Sequence, residues 1–208
     1  MQLIGMLDSP YVRRVAISLQ WLGLPFAHRS VSVFRGYAEF HAVNPVVKAP
    51  TLVCDDGTVL MDSGLIIDYA EALAGRSLMP ADLAERRAAL RSLGLSLAAC
   101  EKAVQIVYEH NIRPAEKLHE PWLARVTGQM QAALRALEAE CGRRPPSAEA
   151  PDQAALTAAV VWHFIQALVP ASAPAAEYPL LAAWSARAEA LPAFAAAPHG
   201  DGTYPVTA

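Results

Sequence analysis

Asn44-Pro45-Val46-Val47-Lys48-Ala49-Pro50-Thr51-Leu52-Val53-Cys54-Asp55-Asp56-Gly57-Thr58-Val59-Leu60-Met61-Asp62-Ser63 is the stretch that decides the fold. Two short apolar runs, Thr51 to Cys54 and Thr58 to Met61, flank Asp55-Asp56-Gly57. That is the composition of a tight antiparallel hairpin, because glycine accepts positive φ without steric cost. Pro50 stands at the hairpin's entrance. Asp62 and Ser63 follow it, and Leu65, Ile66, Tyr69, Ala70 and Leu73 then mark one face of a helix that those two polar residues can cap.

Upstream, Leu3-Ile4-Gly5-Met6-Leu7 is too brief for a helix and is bounded by Asp8-Ser9-Pro10, so it reads as a buried strand. From Pro10 onward Val12, Val15, Ala16, Leu19 and Leu22 recur at helical spacing. Ser9 suits the N-cap, Pro10 the first helical position, and Gly23 with Pro25 the stop. Phe26 to Val33 is rich in strand formers, and Phe34 to Val43 reads as a short helix ending at the Asn44-Pro45 turn. The order is therefore βαβ followed by ββα.

Past residue 74 strand signals cease and alanine-rich helical patterns take over. Helices are expected from about Leu83 to Ile112, Pro121 to Cys141 with Gly142 as the stop, Asp152 to Leu168, and Pro179 to Leu191. The predicted organisation is an α/β domain over residues 1–74 with a mixed four-stranded sheet, a linker over 75–82, and an all-helical domain over 83–208.

Composition narrows the function. The 208 residues carry 17 Lys and Arg against 20 Asp and Glu, and the 54% hydrophobic fraction is inflated by alanine. A chain of this length removes roughly 70% of its unfolded surface from water, so no staples are needed. No apolar run approaches the ~20 residues that cross a bilayer. The N-terminus lacks the pattern of an export signal, which makes the cytoplasm the expected location. Without a basic block, nucleic acid is not an expected partner. Cys54, Cys100 and Cys141 form no short pairing and read as buried thiols. The six histidines show no metal-ligand spacing, and Glu109-His110 lacks the rest of a zinc-protease motif, so no metal is expected.

Three pieces in register carry a family likeness: Ser9-Pro10-Tyr11-Val12-Arg13-Arg14-Val15 after the first strand, Asn44 to Pro50 before the hairpin, and Asp62-Ser63 opening the next helix. With the change of class near residue 74, they make the chain resemble the cytosolic glutathione S-transferases, in their bacterial, serine-type form. The resemblance covers nearly the whole chain. It implies a thioredoxin-like domain that binds glutathione as co-substrate, a helical domain that completes the pocket for a small hydrophobic electrophile, and a homodimer.

The chemistry can be weighed from the residues. Lowering a thiol pKa of ~8.5 by two units takes about 2.7 kcal/mol of preference for the thiolate. A hydrogen bond to a charged group supplies roughly 1.5–3 kcal/mol and a helix N-terminus roughly 0.3–1. Ser9 can offer both, and the resemblance gives it this role. Capping alone uses its oxygen as acceptor and leaves its proton available, so the two roles are compatible. A hydroxyl cannot form a mixed disulfide, which favours transfer or addition over thiol exchange. Tyr11 is a competing hydroxyl and otherwise a pocket wall.

The resemblance further implies a cis bond before Pro50, which turns the backbone of Ala49 outward to hold the cysteinyl part of glutathione like a neighbouring strand. A rigid strand entrance is the plainer reading of Pro50. Ser63 and the first N–H groups of its helix suit a carboxylate, and Asp62 suits an ammonium, which a γ-glutamyl group presents together. Asp62 is shorter than the Glu many relatives carry there. Lys48 suits the glycyl carboxylate or is a solvated surface residue. Tyr108, Asn111 and Trp162, with Tyr11 and Phe34, are the candidates for the electrophile pocket, against the ordinary reading of helical aromatics as core. Relatives carry Ser or Thr three residues before an Asp at the start of the core helix; here Glu149 precedes Asp152, an altered cap. Glutathione-dependent isomerase, dehalogenase or peroxidase chemistry, or a non-catalytic binding protein of the same fold, are the competing readings.

Overall fold

The computed structural model describes residues 1–200. The last residues of the expected helical domain, 201–208, lie outside the described residues. The chain forms two compact units. One is Met1–Leu78 together with the described residues from Ala190 onward; the other is Met79–Glu189. The described segment from Ala190 onward groups with the α/β unit.

The first unit follows the expected order, with β1 (Gln2–Ile4), α1 (Pro10–Leu22), β2 (Ala27–Arg29), α2 (Tyr37–Val43), β3 (Thr51–Val53), β4 (Val59–Leu60) and α3 (Ser63–Ala74). The sheet order is β2-β1-β3-β4, with β1 parallel to β2 and antiparallel to β3. This is the mixed four-stranded sheet of a thioredoxin-like domain. Register places Gln2, Ile4, Thr51 and Val53 on one face and Leu3, Leu52 and His28 on the other. Ile4 packs with Val31 and Phe40 of α2, joined by Val43, Val47, Ala49 and Val53. The opposite face is covered by α1, which packs on β1 and on α3.

The strands are shorter than the sequence suggests, for local reasons. β1 stops at Ile4 because Gly5, at φ 134°, turns the chain out of the sheet. β2 stops at Arg29, and α2 starts at Tyr37 and not at Phe34, because the Ser32 hydroxyl accepts from the N–H groups of Phe34 and Arg35, both at 3.1 Å. That local turn competes with both ladder and helix. The hairpin closes as expected, with Gly57 at φ 86° and Cys54 N–H donating to the Thr58 carbonyl at 2.8 Å.

After Ala190 the chain forms α8, a single turn over Pro192–Ala195 that packs on α1. Arg13 anchors this return. It is almost fully buried, its Nε–H donates to the Ala197 carbonyl at 2.8 Å, and its guanidinium lies over the ring of Phe194.

The second unit contains α4 (Leu83–Asn111), α5 (Glu120–Arg143), α6 (Gln153–Leu168) and α7 (Pro179–Glu189). α5 runs through Gly142, the expected stop, and ends one residue later. Arg144 precedes Pro145, whose ring disfavours the helical region for the residue before it, and Arg144 sits at φ −140°, ψ 80°. α7 stops at Glu189, short of the expected Leu191. α6 is the core helix, buried along nearly its whole length. Its altered cap still works, because the Asp152 carboxylate accepts from Ala155 N–H at 2.8 Å. Trp162 lies on this helix, buried with its ring against Tyr178. The three cysteines are buried, as read from the sequence, none is in a disulfide, and burial pushes the Cys141 thiol up to about 11. Among the described residues no single helix is long and apolar enough to cross a membrane.

Candidate functional site

Ser9 is the N-cap of α1. Its backbone is extended at φ −70°, ψ 121°, its carbonyl accepts from Arg13 N–H at 2.9 Å, and its half-buried hydroxyl accepts from Val12 N–H at 3.4 Å. That last contact is long, so the capping bond is a weak one. The hydroxyl proton makes no hydrogen bond among the described residues. Ser9 is thus an acceptor toward its own helix and has a donor to spare, at the positive end of a helix of 13 residues.

The Ala49–Pro50 bond is cis. Neither the N–H nor the C=O of Ala49 is hydrogen-bonded among the described residues, so the backbone there offers one donor and one acceptor to an extended peptide. The loop is held from beneath by residues the sequence reading did not single out. Asn44 is buried; its Nδ2–H donates to Thr51 Oγ1 at 2.8 Å, and its Oδ1 accepts from Val46 N–H at 3.0 Å. Thr51, fully buried, donates its hydroxyl hydrogen to the Lys48 carbonyl at 2.7 Å. Between them Val47 sits at φ 52°, a region that a β-branched side chain enters only when its surroundings force it. The network and this residue leave Lys48 and Ala49 little freedom.

Asp62, exposed and extended, caps α3 through Gly64 N–H at 2.8 Å, and Ser63 is the first helical residue. Ser63 is buried, and its hydroxyl accepts from Arg14 Nη1–H at 2.9 Å. Accepting from Arg14 leaves the Ser63 proton for another acceptor, and the Ser63 N–H is not engaged among the described residues. A hydroxyl proton, a helix N-terminal N–H and a buried guanidinium together suit a carboxylate. Arg14, only 2% exposed, is a further functional candidate that the sequence reading missed.

These parts converge through Gly5. A Cβ there would lie 2.6 Å from Val12 Cγ2 and 3.3 Å from Ala49 Cβ, so the first turn of α1 and the cis-Pro loop meet over the same glycine. The Arg14–Ser63 bond ties α1 to the start of α3. Of the remaining candidates, Tyr11 is half-buried two residues into α1, while Phe34 and Lys48 are exposed. Tyr108 and Asn111 are exposed at the C-terminal end of α4.

A family model for the glutathione S-transferase N-terminal domain matches residues 3–78, and one for the glutathione S-transferase C-terminal domain matches residues 120–187. The chain belongs to the glutathione S-transferase family. Among solved glutathione S-transferases, one from Methylobacterium radiotolerans in complex with glutathione sulfonate superposes with a TM-score of 0.85 at 28% identity, over 93% of this chain and 92% of the other. A glutathione transferase family member from Pseudomonas fluorescens Pf-5, with bound S-(propanoic acid)-glutathione, superposes with a TM-score of 0.79 at 30% identity over 95% of this chain and 98% of the other. The uncharacterized GST-like protein YibF of Escherichia coli K12 is 29% identical over 66% of this chain and 68% of its own length. The glutathione S-transferase N-terminal match contains Ser9, the Ala49–Pro50 loop and Ser63.

Proposed function

We propose that this transferase-family protein binds glutathione along the Ala49–Pro50 edge and at Ser63, and that Ser9 stabilises the glutathione thiolate for addition to a small apolar electrophile. The observation that carries the reading is the Ser9 hydroxyl proton, unengaged among the described residues at the start of α1. The tripeptide lies antiparallel to Ala49. Its γ-glutamyl carboxylate meets Ser63 and the Arg14 side, its amine faces Asp62, and its glycyl carboxylate faces Lys48. The sulfur then receives the Ser9 proton as a hydrogen bond and the partial positive charge of the helix N-terminus. In the reaction the thiolate electron pair forms a new S–C bond. Either a leaving group departs with the electron pair of the bond it breaks, or an activated double bond takes up the charge and then a solvent proton. Tyr11 and Phe34 supply apolar surface for the electrophile. Titration calorimetry with glutathione is expected to give one site per chain, with an ultraviolet thiolate band near neutral pH. No heat at saturating glutathione would overturn the reading.

We further propose that the protein is a homodimer through the outer face of α3. Leu65, Tyr69 and Leu73, one helical turn apart, are 65%, 38% and 51% exposed and form an apolar stripe larger than a lone helix face needs. Leu65→Glu with Leu73→Glu is expected to convert the dimer to monomer in sedimentation velocity at micromolar protein. A wild-type protein that sediments as a monomer would refute it.

A further inference from the structure

The loop between β1 and α1 delivers Ser9, and one side chain outside the site holds that loop where it starts. His28 lies on β2, opposite Leu3 in the parallel register and 5% exposed. Its Nε2 is 2.6 Å from the carbonyl oxygen of Gly5, so Nε2 carries the proton and donates it. Gly5 is the first residue past the sheet, and its N–H donates to the Arg29 carbonyl at 3.0 Å. Both polar groups of Gly5 are therefore fixed by β2. The N–H contact is backbone to backbone and survives any change of side chain, whereas the carbonyl contact depends on the residue at position 28 alone.

What makes this more than a satisfied core histidine is where Gly5 sits. It is packed against Val12 in the first turn of α1 and against Ala49 in the cis-Pro loop, closely enough that a Cβ would overlap the first and crowd the second. A tilt of the Gly5 peptide is felt at once by the helix turn bearing Ser9 and by the backbone that receives the cysteinyl group. Downstream, among the described residues, the next backbone–backbone bond is Ser9 N–H to the Met6 carbonyl at 3.2 Å, which lies within the loop itself and not in the sheet.

We infer that His28 is a positioning residue for thiolate formation: it holds the Gly5 carbonyl and thereby sets the Ser9 hydroxyl against the glutathione sulfur. This rests on the reading of the site given above. Burial disfavours the imidazolium and the bond to Gly5 works against that; the net effect is a His28 pKa below its ordinary value, in keeping with a neutral imidazole whose Nε2 proton serves as a fixed donor.

The test compares His28→Leu, which removes the donor, with His28→Gln, whose amide nitrogen reaches about as far as Nε2. In His28→Leu the pKa of the bound glutathione thiol, read from thiolate absorbance against pH, is expected to rise and kcat to fall about ten-fold, as displacements well under 1 Å do at reacting centres. The KM for glutathione is expected to change less than about three-fold, and hydrogen exchange over Met6–Val12 to accelerate. His28→Gln should restore the thiol pKa and most of kcat. If His28→Leu does not fold, His28→Asn, whose shorter amide cannot reach Gly5, is read in its place. An unchanged thiol pKa with only a lowered melting temperature, or loss in the Gln variant equal to that in Leu, overturns the proposal. If wild-type protein gives no thiolate signal, the glutathione reading fails, and faster exchange over Met6–Val12 in the variant still decides whether His28 holds the loop.

Discussion

Replacing Ser9 with Ala is expected to lower kcat for glutathione transfer ten-fold or more and to raise the pKa of the bound thiol toward its free value of ~8.5. The lost interaction is a hydrogen bond to a charged sulfur, worth roughly 1.5–3 kcal/mol, which corresponds to one to two pKa units. The helix N-terminus remains, so activity is not abolished. The sign with pH follows. A raised pKa depletes thiolate at neutral pH but not above the free thiol's own pKa, so the acid limb of the rate profile moves upward and the variant regains rate in alkali. Stability should fall by no more than about 0.5 kcal/mol, the low end for an N-cap, because the native capping contact is long at 3.4 Å. Ser9→Thr, which keeps a hydroxyl, should retain more activity than Ser9→Ala. Equal turnover in wild type and Ser9→Ala would remove Ser9 from the mechanism.

Ser63→Ala is expected to act on binding. Its hydroxyl stands between a buried guanidinium and the site assigned to the γ-glutamyl carboxylate, with Arg14 Nη1 at 2.9 Å. Removing it deletes a donor to that carboxylate and withdraws one acceptor from Arg14. Loss of one charge-assisted hydrogen bond, about 1.5–3 kcal/mol, predicts a rise in the glutathione Kd of roughly 10- to 150-fold. At saturating glutathione kcat should change much less, because the sulfur and Ser9 are untouched. Calorimetric Kd values, with initial rates at saturation, separate the two quantities. A Kd within two-fold of wild type would show that the carboxylate binds elsewhere.

Much of this site could be read from the chain before folding. Ser9-Pro10, Asp55-Asp56-Gly57 and Asp62 act through bonds to residues within three or four positions, so their chemistry is local, whereas the partner of Ser63 is Arg14, far along the chain. The cis-Pro loop was visible through resemblance. Arg13 and Arg14 were not. A cationic pair on an amphipathic helix reads as its solvated face, yet both are buried, Arg13 beneath the return of the chain after Ala190 and Arg14 against Ser63. Asn44, Thr51 and His28 were likewise silent. Their partners lie across strands or turns, and hydropathy patterns carry no record of which polar groups will pair.

An aromatic side chain on an apolar helix serves a pocket or a core equally well in sequence, and the burial of Trp162 against Tyr178 is legible only after α6 has packed. The order of strands and helices, the caps and the hairpin were determined by the sequence itself, because nearest-neighbour sterics and spacing of apolar residues suffice for them. The meeting of α1 and the Ala49–Pro50 loop over Gly5, the Arg14–Ser63 tie between α1 and α3, and the docking of the segment after Ala190 on Arg13 were decided by the tertiary structure. They depend on hydrogen bonds and close contacts between residues tens to nearly two hundred positions apart, which exist only once the sheet and its covering helices have packed.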